Sequence, residues 1–170
     1  MRALPALLLL VLTLTCNAAL AAETAPAGQK PYRIAMVLWR GETQAELGFR
    51  DYLSRQGVAV DITVMDCAQD KSKIAAFRDR IRAERPDLVY AFGTTVTAEL
   101  AGTTGHRDPK IHITDIPVLF GLVATPVRSA LVPAFGETGT NVTGVSHVPQ
   151  TEAQAQALAN LLPASGRVGI

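Results

Sequence analysis

The 170-residue chain carries 16 basic and 15 acidic residues, a formal charge of +1, and is 48% apolar. That balance offers no electrostatic field for nucleic acid or an anionic membrane surface, which excludes partners recognised by charge alone. The apolar content is enough for a buried core, and the length suits about one domain.

Residues 1–22 read as a secretory signal peptide. Arg2 supplies a positive start, Leu4 through Leu14 form an apolar run too short to span a bilayer comfortably, and Ala19-Leu20-Ala21 fits small-residue cleavage. The short run also argues against a retained anchor. Cys16 offers a lipoprotein reading, but Thr13 and Thr15 stand where such sites usually carry leucine and a small residue. Cleavage would leave Cys67 as the one cysteine of the mature chain and rule out an intrachain disulfide. Cys67 follows an expected strand and reads as a small, partly buried residue rather than a nucleophile. Residues 23–30 are small and polar, as in a flexible linker.

Residues 31–147 alternate strand and helix patterns, as an α/β lobe would. Tyr32 to Trp39 is a β-prone run with little polar alternation, as in a strand covered on both faces. Ala45, Gly48, Phe49, Tyr52 and Leu53 recur at helical spacing, with Gly57 as a stop. Val58 to Met65 reads as a second strand. Asp70 is expected to cap a helix whose inner face is Ile74, Phe77 and Ile81, with Pro86 closing it. Lys71, Lys73, Arg78, Arg80, Arg82 and Arg85 then form its solvated face.

A third strand runs to Phe92, and Thr94 or Thr95 is expected to cap a short helix from Val96 to Ala101. Gly102 to Lys110 reads as a loop and Pro117 to Val123 as a fourth strand. Ser129 to Phe135 is expected to form a short helix interrupted at Pro133. Gly139-Thr140-Asn141 turns the chain into a fifth strand, Val142 to Val145. Residues 148–170 hold a helical pattern from Glu152 to Leu162 and the start of a sixth strand at Arg167 to Ile170. This rhythm implies right-handed βαβ crossovers and an open, doubly wound, mostly parallel sheet.

In such a sheet a ligand sits beyond the carboxyl ends of the strands, where the strand order reverses. For an order 2-1-3-4-5 that point lies between the first and third strands, at the loops Trp39-Arg40-Gly41-Glu42 and Gly93-Thr94-Thr95. Gly93 allows close backbone approach. Thr94 and Thr95 set hydroxyls beside the free N–H groups of a helix start, which favour a carboxylate or phosphate; the same residues also serve as plain helix caps. Trp39, the one tryptophan, can cover an apolar or aromatic ligand or can simply pack. Glu42 can meet a ligand ammonium or complement a helix dipole, and the second reading is favoured.

Other chemistry is sparse. His106, His112 and His147 lack metal-ligand spacing. Ser146 and His147 are adjacent, so on an extended segment they point to opposite faces and cannot pair as nucleophile and base. There is no Walker loop or dinucleotide fingerprint, and no cofactor is expected. Asp66 stands where receiver folds carry an acidic site, but an exported chain would lack the cytoplasmic phosphodonor. Asn141-Val142-Thr143 matches a glycosylation sequon and reads instead as the turn into the fifth strand.

Four segments carry a resemblance. They are Ile34-Ala35-Met36-Val37-Leu38-Trp39-Arg40-Gly41-Glu42-Thr43, Arg85 to Tyr90 leading into Phe92-Gly93-Thr94, Asp115 to Phe120, and Asn141 to Ser146. Together they resemble the exported substrate-binding proteins of ABC transporters, tryptophan/tyrosine type, over about residues 31–170. The resemblance implies the first lobe of a type I periplasmic-binding fold, with residues 148–170 opening a second lobe that is incomplete here. It implies an extracytoplasmic, non-enzymatic, monomeric protein that captures an amino acid or related carboxylate for a membrane permease. Carried over by position, the ligand-binding residues are Trp39, Glu42, Thr94, Thr95, Ala124, Thr125 and Ser146. Relatives often have aspartate before proline where this chain has Thr125-Pro126, a departure at the place that would meet a ligand amino group. The alternatives are an exported ligand-sensing module for a membrane signalling protein and an exported α/β hydrolase, the latter lacking a paired nucleophile and base.

Overall fold

The computed structural model describes residues 30–136, 138–147, 155–157 and 159–160. Strand β1, Tyr32–Leu38, is buried without interruption from Ile34 to Leu38, as expected for a strand covered on both faces. It pairs in parallel with β2, Val60–Asp66, on one side and with β3, Leu88–Phe92, on the other. Strand β4, Val118–Val123, follows β3, and β5, Val142–Ser146, follows β4. All the pairings are parallel and the order is β2-β1-β3-β4-β5, the expected doubly wound arrangement.

Period-2 alternation divides the strand side chains between two cores. Ala35, Val37, Val89, Ala91, Val118 and Phe120 meet Ile74 and Ile81 of α2, Lys73–Glu84, and Val96 and Leu100 of α3, Gly93–Ala101. Ile34, Met36, Leu38, Tyr90 and Phe92 face the other way, against Phe49 and Leu53 of α1, Gln44–Arg55. The step from β1 to β2 runs across the sheet in the opposite direction to the later steps. Right-handed crossovers therefore place α1 on one face and α2 and α3 on the other.

Helix α1 buries a different stripe from the expected one. Tyr52 is 63% exposed, Ala45 and Gly48 are also exposed, and Glu46 is wholly buried in line with Phe49 and Leu53. Glu46 can be buried because its carboxylate is satisfied. One oxygen accepts the Thr43 N–H at 2.8 Å and the Thr43 hydroxyl at 2.6 Å, and the other accepts the Tyr90 hydroxyl at 2.6 Å. Thr43 and Glu46 thus form a capping box whose acidic member also ties α1 to the centre of β3.

Asp70 does not cap α2. The N-cap is Ser72, and the Asp70 carboxylate accepts the Ser72 N–H at 2.9 Å and its hydroxyl at 2.7 Å in a turn just before the helix. The helix closes at Arg85, which adopts φ +48° ahead of Pro86. Its basic face is not wholly solvated either. Arg82 donates to the carbonyls of Pro109, Lys110 and His112, and Arg78 to that of Glu99, so these two guanidinium groups pin the following loop and helix.

No helix forms over Ser129 to Phe135. A hydrogen-bonded turn closes earlier, with Ser129 N–H donating to Thr125 and Leu131 N–H to Pro126, each at 2.9 Å. Ala130 then takes φ +52°, which ends any helical continuation, and Leu131 and Val132 drop into the core. Asn141 serves the turn into β5, its side-chain amide donating to the carbonyls of Ile113 at 2.9 Å and Ile116 at 2.7 Å. Within the expected helix from Glu152, residues 155–157 and 159–160 are helical and exposed. The expected signal peptide, all of the linker except Lys30, and the expected strand at Arg167 to Ile170 lie outside the described residues.

Candidate functional site

The strand order sets β1, β3, β4 and β5 side by side with their carboxyl ends at one edge of the sheet. The pairs Val37–Ala91, Phe92–Gly121 and Val123–Ser146 show that these ends stay in step. Six of the seven expected site residues lie within four residues after those ends, Ser146 is the last residue of β5 itself, and all belong to this rim. The reversal of strand order falls between β1 and β3, between the Trp39 and Gly93 loops.

Trp39 is partly buried and packs against the cores of both faces, so it closes the sheet end while keeping part of its ring at the rim. Glu42 precedes the N-cap Thr43 and pairs with Arg50 at 2.6 Å. Its carboxylate is held against α1, with the side chain about one-third exposed.

Thr94 and Thr95 are exposed, but neither is the cap of α3. The helix begins at Gly93, with Phe92 as an N-cap that gives no side-chain bond. Both threonines therefore lie in the first turn, the region whose N–H groups lack intrahelical partners. Gly93 makes this early start possible with φ +76°, and its open Cα side faces the Leu122 carbonyl. The hydroxyl of Thr97, one turn on, donates back to the Gly93 carbonyl at 2.7 Å.

Ala124 and Thr125 are exposed at the end of β4, where the Thr125 hydroxyl lies 3.4 Å from that of Ser129. Ser146 donates to the Ala124 carbonyl at 3.2 Å, joining the ends of β4 and β5. A β-bulge aims both ends. Between the pairs Phe120–Gly144 and Val123–Ser146, β4 has two residues and β5 one, and Leu122 adopts φ +55°. The glycines within β4 and β5 were the available signal for this irregularity, since an interior strand glycine often marks a bulge or close approach. A side chain at Gly121 would overlap the Tyr90 hydroxyl, and one at Gly144 would overlap Phe120. The buried Glu46 was also open to discovery, because Thr43 followed by Glu46 has capping-box spacing.

A mainly apolar groove of about 290 Å³ lies beside the rim, on the α1 face. Phe49, Tyr90, Leu119 and Leu122 line it, and Ser146 is the one expected site residue that reaches it. Among the described residues no cluster of His, Cys, Asp or Glu is placed to hold a metal ion. No helix among them is long and apolar enough to cross a membrane.

The parallel sheet with a polar, helix-started rim defines an α/β lobe of the periplasmic-binding-protein class. The family described as ABC transporter substrate binding protein matches residues 35–170, and the chain belongs to that family. Three solved structures share the fold. The ligand-free, open structure of CD0873, a substrate-binding protein with adhesive properties from Clostridium difficile, is 22% identical with TM-score 0.63, over 78% of this chain and 44% of that one. A conserved domain protein from Vibrio cholerae is 19% identical with TM-score 0.63, over 79% and 45%. An ABC domain in complex with L-Trp from Streptococcus pneumoniae is 25% identical with TM-score 0.62, over 79% and 44%. The match thus spans less than half the length of each of these relatives. No curated protein sequence matches the chain.

Proposed function

We propose that this lobe forms one wall of a cleft in which an exported two-lobe protein captures a small solute, an amino acid or related carboxylate, for delivery to an ABC permease. The observation that carries the reading is the first turn of α3, with exposed Thr94 and Thr95, set beside Trp39 at the reversal of strand order. A helix start favours a carboxylate, and an aromatic ring at the same rim can cover the rest of the solute. The L-Trp bound by the Streptococcus pneumoniae relative supports a solute of this size and chemistry. Ala124, Thr125 and Ser146 complete the wall, and Glu42 would reach a ligand ammonium only by leaving Arg50.

A small ligand normally needs most of its surface buried for useful affinity, which one open wall does not provide. Closure of two lobes on the solute would also tell the permease that the site is filled, because only the closed state is favoured by contacts from both sides. Calorimetry with a panel of amino acids is the test. Residues 23–170 alone should show no micromolar binding, whereas the same lobe joined to a second lobe should bind, and Trp39→Ala and Thr94→Ala should each weaken that binding. Micromolar affinity in the single lobe would refute the two-wall reading.

A further inference from the structure

The turn that follows β2 is strained, and it is bonded to a loop of the rim. Ala68 and Gln69 are consecutive non-glycine residues with φ +51° and +64°, a region that side chains disfavour. Such a pair persists only where surrounding contacts over-determine it. Here the contacts run to the loop after β1. The Cys67 N–H donates to the Leu38 carbonyl at 2.8 Å, and the Gln69 N–H donates to the Trp39 carbonyl at 2.7 Å.

Asp66, the last residue of β2, completes the arrangement. Its carboxylate accepts the Ala68 N–H at 2.8 Å, which fixes the first strained residue. The same carboxylate lies beside Gly41 of the rim loop, itself at φ +69°, where a Cβ built on the glycine would stand 3.9 Å from Asp66 Oδ2, so one side chain touches both loops. The Ala68 and Gly41 N–H groups hold the Asp66 carboxyl below the usual carboxylate range. A charged acceptor strengthens the Ala68 bond, because a carboxylate offers lone pairs and no competing proton.

We propose that Asp66 is a positioning residue, and that the Asp66–Gln69 turn is a brace setting the Trp39–Glu42 loop at the ligand-facing rim. The functional meaning of the brace rests on the solute-binding reading, but its physical test needs no solute. β2 is an edge strand outside the four whose ends form the rim, so Asp66 acts through the neighbouring loop. Asp66→Ala removes the acceptor of the Ala68 N–H. Asp66→Asn keeps an oxygen for Ala68 but removes the charge that strengthens the bond.

Trp39 is the one tryptophan in the chain and reports directly on this loop. Time-resolved fluorescence anisotropy and acrylamide quenching are measured on the full chain and on both variants, with far-UV circular dichroism and thermal melting as controls. The expected result is a new fast component and stronger quenching in Asp66→Ala, a smaller change in Asp66→Asn, and a retained secondary structure. Unchanged Trp39 anisotropy and quenching in a folded Asp66→Ala chain would overturn the proposal. If Asp66→Ala does not fold, amide hydrogen exchange on the wild-type chain decides. Protection at Ala68 and Gln69 supports the brace, and exchange as fast as in a free turn overturns it. A brace confirmed in a lobe that binds no solute even when joined to a second lobe would refute only the functional reading, so the two failures are distinguishable.

Discussion

Replacing Tyr90 with phenylalanine should destabilise the lobe through a single lost hydrogen bond. The Tyr90 hydroxyl donates to Glu46 at 2.6 Å, both residues are buried, and the Tyr90 ring also packs on Phe49 with centroids 5.3 Å apart. Phenylalanine keeps the ring contact and removes only the donor. The Glu46 oxygen facing Thr43 keeps its two bonds, while the other loses its Tyr90 donor in a buried setting. Such a group costs about 1–3 kcal/mol, of which we take about 2. For a domain of this size the melting temperature should fall by about 4–8 °C.

The pH dependence gives a second handle on the same bond. Burial, then the hydrogen bond to Glu46 and its charge, push the Tyr90 phenol above its ordinary value. A group whose folded pKa is raised contributes stability that is complete below its unfolded pKa and is lost as pH rises through the folded value. The gap between wild type and Tyr90→Phe should therefore be constant below about pH 10, the unfolded phenol value, and narrow above it. Urea unfolding from neutral to alkaline pH measures this gap. A difference under about 0.5 kcal/mol at neutral pH, within the range of ordinary surface substitutions, would mean that the Tyr90–Glu46 bond does not support the fold.

Further outcomes follow from other close-packed points. Gly144→Ala should cost about 3 kcal/mol or more, because the new methyl would overlap the Phe120 carbonyl and ring, and urea unfolding should register it. Asn141→Ala should cost about 2–4 kcal/mol in the same assay, since the carbonyls of Ile113 and Ile116 both lose a donor. The Cys67 thiol, fully buried and with its pKa raised by burial and then by Asp66, should react with a disulfide reagent much more slowly in the folded chain than in urea. Equal rates in the two conditions would contradict that burial.

The sheet order was legible because it rests on strong signals. The apolar runs of β1 and β3 and the helical spacing of Ile74, Phe77 and Ile81 survive in the structure nearly to the residue. The reversal point, and with it the rim, followed from that order. What was hidden depended on partners distant in sequence. The capping-box spacing of Thr43 and Glu46 is visible in the sequence, but the burial of Glu46 rests on Tyr90, 44 residues away. The Ala68–Gln69 turn takes a left-handed conformation without glycine, so local composition gives no warning of it. Thr94 and Thr95 lie in the first turn of α3 and not at its cap, because Gly93 lets the helix begin earlier than a threonine cap would. Ser129 to Phe135 had helical composition, but Leu131 and Val132 were drawn into the core instead.

The rim at the ends of β1, β3, β4 and β5 is proposed above as a solute-binding wall. The most direct test is a titration of isotope-labelled residues 23–170 with millimolar amino acids, followed by amide chemical shifts. Weak, saturable shifts centred on Trp39, Gly93 to Thr95, Ala124, Thr125 and Ser146 are expected. Shifts centred elsewhere on the lobe, or none at the rim with any amino acid, would contradict it.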